Sequence, residues 1–288
     1  MTTQQFIPLA KPEFNGNEQK YVTETLTSTW ISGGPFVDRL EHDFANYFGA
    51  RFALTASNGT SALHMAFLAL GVGPGDEIII PGFAFLAAAN LSLLMHATPI
   101  FAEVNPDTWC LMAETIEKCL SPRTKLIVPI HTYGNVCDMD SIMALAKSRN
   151  IPVVEDAAEA IASLYKGRYA GTMGTIGTFS FHASKTITTG EGGMVVTNDK
   201  NLYDKMVLYR SHGMLRKQYY WHELAGHNFR LTNMQAALGC AQLEMLSQKI
   251  AERKRVHRQY KIHLSDINGL ALQFFPPEVE AGPWMIAV

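Results

Sequence analysis

Between residues 50 and 210 the sequence alternates short, continuously apolar runs with stretches of helical periodicity, and few folds accommodate that pattern. The runs are Phe52–Thr55, Glu77–Ile80, Pro99–Glu103, Lys125–Ile130, Pro152–Glu155, Gly177–His182 and Gly193–Thr197. Most are rich in β-branched residues and lack the apolar/polar alternation of a strand with one wet face, so both faces are expected to be covered by helices. The helical stretches between several of them are Ser61–Leu70, Leu86–Met95, Ala113–Leu120 and Met139–Arg149. Gly71 and Asn150 stand where C-terminal caps belong. The pattern predicts an α/β fold with a largely parallel central sheet sandwiched by helices.

Phe36, Leu40, Phe44 and Tyr47 lie on one helical face that Gly49 ends. From Asn233 to about Leu264 a long helical stretch opens apolar (MQAALGCAQLEML) and turns basic (KIAERKRVHRQYKIH), the basic part reading as a solvated face. The change of character near residue 245 divides the chain into 1–245 and 246–288.

The charge balance, 24 basic against 26 acidic side chains, gives no basic footprint for nucleic acid. With 47% hydrophobic and 17% charged residues the chain is not of disordered composition. Cys110, Cys119, Cys137 and Cys240 are scattered, with neither disulfide-framework nor zinc spacing, so no metal is expected. The opening MTTQQFIPLAKPEF is not a signal peptide. Ile78 to Met95 holds no charge over 18 residues, long enough for a membrane span. Pro81-Gly82, Asn90 and Ser92 interrupt it, and a strand, a turn and a buried helix fit it better. A cytoplasmic protein outside any membrane is expected.

Three segments can carry chemistry. In TASNGTSALHMAF (55–67) a strand ends in a small polar turn and a helix begins. The unpaired first-turn N–H groups and the positive dipole end would favour a phosphate there, with Gly59 allowing close approach; the ordinary reading is a helix cap. In VVEDAAEA (153–160) Glu155 and Asp156 end an apolar strand, near the sheet edge where α/β ligands bind; the ordinary reading of the Asp is an N-cap. In TFSFHASKTITTGEGGMVV (178–196) Lys185 lies between an apolar strand and a Thr/Gly-rich turn. Loss of hydration would lower its pKa and make it a nucleophile; the alternative is a surface turn lysine. A phosphate cradle, a strand-end carboxylate and such a lysine are together what holds pyridoxal 5′-phosphate (PLP): an anchor, a partner for the pyridine nitrogen and a Schiff-base amine.

At these residues the chain resembles the DegT/DnrJ/StrS aminotransferases, fold type I PLP enzymes acting on nucleotide-linked keto sugars. The likeness runs in order through WISGGPFVDRLEHDFANYFG, SNGTSALHMAF, IIIPGFAF, FAEVNPDTW, VVEDAAEA, FSFHASKTITTGEGG and HNFRLTNMQAALGCAQLE. ITTGEGG, EDAAEA and RSHGM are most similar to the GDP-perosamine synthase branch. The resemblance implies that Lys185 holds PLP, that Asp156 pairs with its ring nitrogen and that Phe85 stacks on the ring, with a core phenylalanine as the other reading. It further implies that Gly59, Thr60 and Ser180 bind the phosphate. Asn228 would reach the phosphate of the neighbouring subunit's cofactor, which makes a homodimer with shared sites. Glu159 stands where many members have Gln near the ring hydroxyl. His131 and His182 are read as structural.

The implied reaction is two-step transamination, with an amino acid (L-glutamate by analogy) as donor and a nucleotide-linked 4-keto-6-deoxy sugar as acceptor, as in amino-sugar synthesis for surface polysaccharide. A related branch, the sugar 3-dehydratases, has histidine in place of the lysine. The other alternative is a truncated, non-catalytic PLP-binding protein or regulator. Family chains continue through a complete small C-terminal domain, so the resemblance implies that 246–288 is only its beginning and that the chain is truncated.

Overall fold

A computed structural model of the chain describes residues 6, 8–215, 218 and 220–288; residues 1–5 and 7, read above for a targeting signal, lie outside the described residues. Helices α1 (Glu18–Ser28) and α2 (Pro35–Phe48) come first. Then follow β1 (Phe52–Ala56), α3 (Gly59–Ala69), β2 (Glu77–Pro81), α4 (Ala87–Leu94) and β3 (Thr98–Ala102). Next come α5 (Ala113–Cys119), β4 (Thr124–Ile127), α6 (Met139–Arg149) and β5 (Val154–Asp156). A hairpin of β6 (Leu164–Tyr165) and β7 (Arg168–Tyr169) precedes β8 (Ile176–Ser180) and β9 (Gly193–Thr197). Helices α7 (Lys200–Arg210), α8 (Asn233–Glu244) and α9 (Leu246–Leu264) follow, and β10 (Val279–Glu280) pairs back on β6.

β2 lies between β3 and β4, parallel to both, while β5 is parallel to β8. β9 is antiparallel to its two neighbours, β8 and β1. Parallel bridges Ile127–Val153 and Ile130–Asp156 join the two sets. The spatial order is therefore β3-β2-β4-β5-β8-β9-β1, with β9 alone reversed among these seven. The largely parallel sheet expected from the sequence is present.

Side chains alternate across each strand, so a continuously apolar run serves two cores. Ile79, Ile127, Val153, Met194 and Val196 face one core with Leu40, Phe44 and Phe48 of α2 and Ala236 and Cys240 of α8. Their neighbours Ile78, Ile80, Leu126, Val154 and Val195 face the other, filled by Leu63, Met65 and Phe67 of α3, Leu91 of α4 and Met206 of α7. Gly49 and Asn150 cap α2 and α6 in the left-handed conformation, as expected.

The fold departs from expectation in several places; β8, for example, ends at Ser180 rather than His182. The helix expected over Asn233–Leu264 breaks at Met245, where Glu244 is held by Asn17, Tyr21 and Arg39 and the Met245 N–H turns to the Gln242 carbonyl. β4 stops at Ile127, ahead of Pro129, which has no N–H to give a ladder. The segment 78–95 is a strand, a turn and a helix, but α4 buries only one side: Leu93 and Leu94 are 60% and 73% exposed. Among the described residues no helix is long and apolar enough to cross a membrane. Leu246, Ile250 and Val279 belong to the same core as α2 and α8, so packing continues across residue 245.

Candidate active site

The carboxyl ends of the parallel strands converge on one cavity of about 420 Å³, the edge at which an α/β sheet receives its ligands. At the end of β1 the chain turns through Asn58, whose side chain accepts the Ser61 N–H at 2.8 Å and caps α3. The cap reading holds, and it leaves room for an anion, because among the described residues the N–H groups of Gly59 and Thr60 have no acceptor. The cradle is tight. A Cβ on Gly59 would stand 2.8 Å from the Ser180 Cβ, and one on Gly193 would stand 2.5 Å from the Asn58 carbonyl oxygen.

At the end of β5 two adjacent carboxylates point to opposite faces and take separate tasks. Glu155 is fully buried and accepts from the N–H groups of Gly171, Met173 and Gly174 and from His131 Nε2 at 2.9 Å. The Cys137 N–H donates to His131 Nδ1 at 3.3 Å, which leaves the ring proton on Nε2, facing Glu155. Asp156 instead lines the cavity. It does not cap a helix, since none begins there; its Oδ1 accepts the Ala158 N–H at 3.0 Å, and Oδ2 has no protein donor among the described residues. Burial pushes its carboxyl above the usual carboxylate range, against the Ala158 N–H and the charge of Lys185.

Lys185 follows β8, its N–H held by the His182 carbonyl at 2.9 Å, and its side chain is 14% exposed. It is not a surface turn lysine. Burial holds its pKa below the usual lysine range, opposed by the charges of Glu159 and Asp156. Nζ lies 3.8 Å from Glu159 Oε1, and Glu159, itself raised by burial, uses Oε2 to accept the Tyr133 N–H at 3.0 Å.

Gly59, Thr60, Phe85, Asp156, Glu159, Ser180 and Lys185 thus line the same cavity. Phe85 is 76% exposed, which excludes the core reading. Asn228 lies outside this cavity, exposed, with its Oδ1 accepting from Arg230 Nε at 3.1 Å. His182 and Trp284 are among the wall residues that the sequence motifs do not mark as ligand contacts. His182, read as structural, lines the cavity half-exposed, with Nδ1 3.0 Å from Ser184 Oγ. Trp284 arrives from a segment about 100 residues further along the chain.

First-turn N–H donors, a carboxylate with one unengaged oxygen, a buried amine and an exposed aromatic ring fit PLP, matching its phosphate, ring nitrogen, aldehyde and ring face. Residues 12–288 match the DegT/DnrJ/EryC1/StrS aminotransferase family. The chain belongs to that family. Its members are PLP-dependent, and the α/β sheet described above is their fold type I. A GDP-perosamine synthase of Escherichia coli O157:H7 is 46% identical over 263 residues, 91% of this chain and 72% of that protein. The aminotransferase TlmJ from Streptoalloteichus hindustanus superposes with a TM-score of 0.94 at 32% identity, over 98% of this chain and 78% of its own. The E. coli GDP-4-keto-6-deoxy-D-mannose-3-dehydratase with bound hydrated PLP gives 0.92 at 26% identity, over 98% and 78%.

Proposed function

We propose that this DegT-family chain moves an amino group from an amino acid, L-glutamate by family analogy, to a nucleotide-linked 4-keto-6-deoxy sugar, as in perosamine synthesis. The observation that carries this reading is the meeting of Lys185, Asp156 and the start of α3 in one cavity, in a chain 46% identical to a GDP-perosamine synthase.

When bound, PLP supplies an electrophilic carbon and a protonated pyridine ring that takes up the electron pair left when a proton leaves the donor. The chain's residues do the rest. The Gly59 and Thr60 N–H groups, with the Thr60 and Ser180 hydroxyls, bind the phosphate. Asp156 holds a proton at the pyridine nitrogen, where its charge is compensated. Phe85 covers a face of the ring. The Lys185 amine, deprotonated at lower pH than a solvated lysine, takes the proton from the donor α-carbon and holds it on Nζ as an ammonium. Asn228 completes the cradle of a second copy, so that a homodimer shares its two sites.

The 3-dehydratase branch has histidine where this chain has Lys185, which favours transamination. The test is incubation with PLP, L-glutamate and a GDP-4-keto-6-deoxy sugar, followed by mass spectrometry. An amino sugar formed with stoichiometric 2-oxoglutarate supports the reading. A 3-deoxy product, or no product from a chain that binds PLP, overturns it.

A further inference from the structure

Lys185 Nζ has a second close neighbour besides Glu159. The centre of the Trp284 ring lies 3.4 Å from it, within the range in which an ammonium is drawn to the negative face of an indole, more strongly where water is excluded. Trp284 is fixed in turn by its surroundings. Its indole N–H donates to the Ser184 carbonyl at 2.7 Å, and its backbone N–H donates to the Tyr133 carbonyl at 3.2 Å. Its own carbonyl accepts from Arg253 Nη1 of α9 at 2.5 Å, and its ring stacks on Tyr133 with centroids 6.1 Å apart and planes at 27°. Tyr133 gives its N–H to Glu159. The contacts therefore close a circuit: Lys185 to Glu159, Glu159 to Tyr133, Tyr133 to Trp284, and Trp284 back to Lys185. Tyr133 sits in it at φ 55°, a backbone region a bulky residue enters only where its surroundings hold it there.

We propose that Trp284 is a positioning residue for the Lys185 amine: its indole face and the Glu159 carboxylate form a seat that holds the protonated amine at the cavity wall whenever Lys185 is not covalently engaged. This rests on the reading of Lys185 as the reactive amine. It adds a residue that no motif of the lysine or phosphate segments contains, and it ties the 281–288 segment and α9 to the geometry of the reacting nitrogen.

The test is a titration of the full chain, freed of PLP, with its lysines reductively ¹³C-methylated and the Lys185 signal identified by its loss in Lys185→Gln. The other charged and titratable groups near the amine are Asp156, Glu159, Tyr133, His182 and Glu191, and they stay unchanged in every variant. Trp284→Leu keeps the apolar bulk and removes the π face, so the Lys185 midpoint falls by about half a pH unit or more. Trp284→Phe keeps a weaker face and gives a smaller fall. A midpoint in Trp284→Leu equal to or above that of the unmodified sequence overturns the proposal. If Trp284→Leu does not fold, the absence of any fall in Trp284→Phe does so. Failure of the underlying reading appears elsewhere, as the absence of a PLP-dependent visible band in the parent chain, and leaves this titration readable.

Discussion

Glu159 serves Lys185 and Tyr133 with separate oxygens, Oε1 standing 3.8 Å from the lysine Nζ and Oε2 accepting the tyrosine N–H at 3.0 Å. Glu159→Gln keeps an acceptor for Tyr133 and removes one of the two carboxylates that favour the charged lysine. The Lys185 pKa, already lowered by burial, then falls further. A neutral amine is needed to take a proton, so the acid limb of the turnover–pH profile moves to lower pH, by about one unit or less. An unmoved limb, or one moved to higher pH, contradicts this.

Asp156 sets stability against function. Its pKa is raised in the folded chain, so its stabilising contribution is complete below the ordinary carboxylate value and is lost as pH rises through the raised one. Above that raised value, without PLP, its charge is a burden. Asp156→Asn retains the acceptor for Ala158, so the PLP-free variant melts at an equal or higher temperature while turnover drops by on the order of 100-fold or more. Melting curves and kcat measured on the same preparation check both halves. A variant that melts lower and still turns over normally would refute the assignment.

The phosphate cradle can be probed by size alone. Gly59→Ala places a methyl against the Ser180 Cβ and costs about 1–3 kcal/mol, with a weaker affinity for PLP. Adding Ser180→Gly removes the obstructing atom, so the pair is less destabilised than the sum of its parts. Gly193→Ala meets the Asn58 backbone instead and is not rescued by Ser180→Gly. Equilibrium denaturation of the parent, the three single variants and the two double variants distinguishes these outcomes.

Glu155 is the carboxylate whose loss damages the fold rather than the chemistry. Glu155→Ala strands three backbone donors and His131 in the interior and lowers stability by about 3–5 kcal/mol. The denaturant midpoint reports it. At low temperature, where the variant remains folded, the PLP-dependent absorbance band persists.

The strands and the cavity lining were legible because each rests on contiguous residues. Apolar runs such as Glu77–Ile80 declare a doubly covered strand, and the Gly59, Asp156 and Lys185 segments each carry a local signal. Trp284 and Tyr133 were not legible as partners of Lys185. They come from loops 100 and about 50 residues away, and Tyr133 depends on a left-handed backbone that its residue type does not announce. The sequence likewise could not divide the labour of Glu155 and Asp156. Strand alternation sends them to opposite faces, but only the folded chain shows that one face is filled by backbone donors and the other opens on the cavity. The helix break at Met245 has no local signal because the pull on Glu244 comes from Asn17, Tyr21 of α1 and Arg39 of α2, over 200 residues earlier.

The most direct test of the account is to incubate the full chain with PLP, reduce it with borohydride and map the modified peptides by mass spectrometry. The account predicts a single pyridoxyl group on Lys185, absent from Lys185→Ala together with the visible band. A label on any other lysine, or none at all, would contradict it.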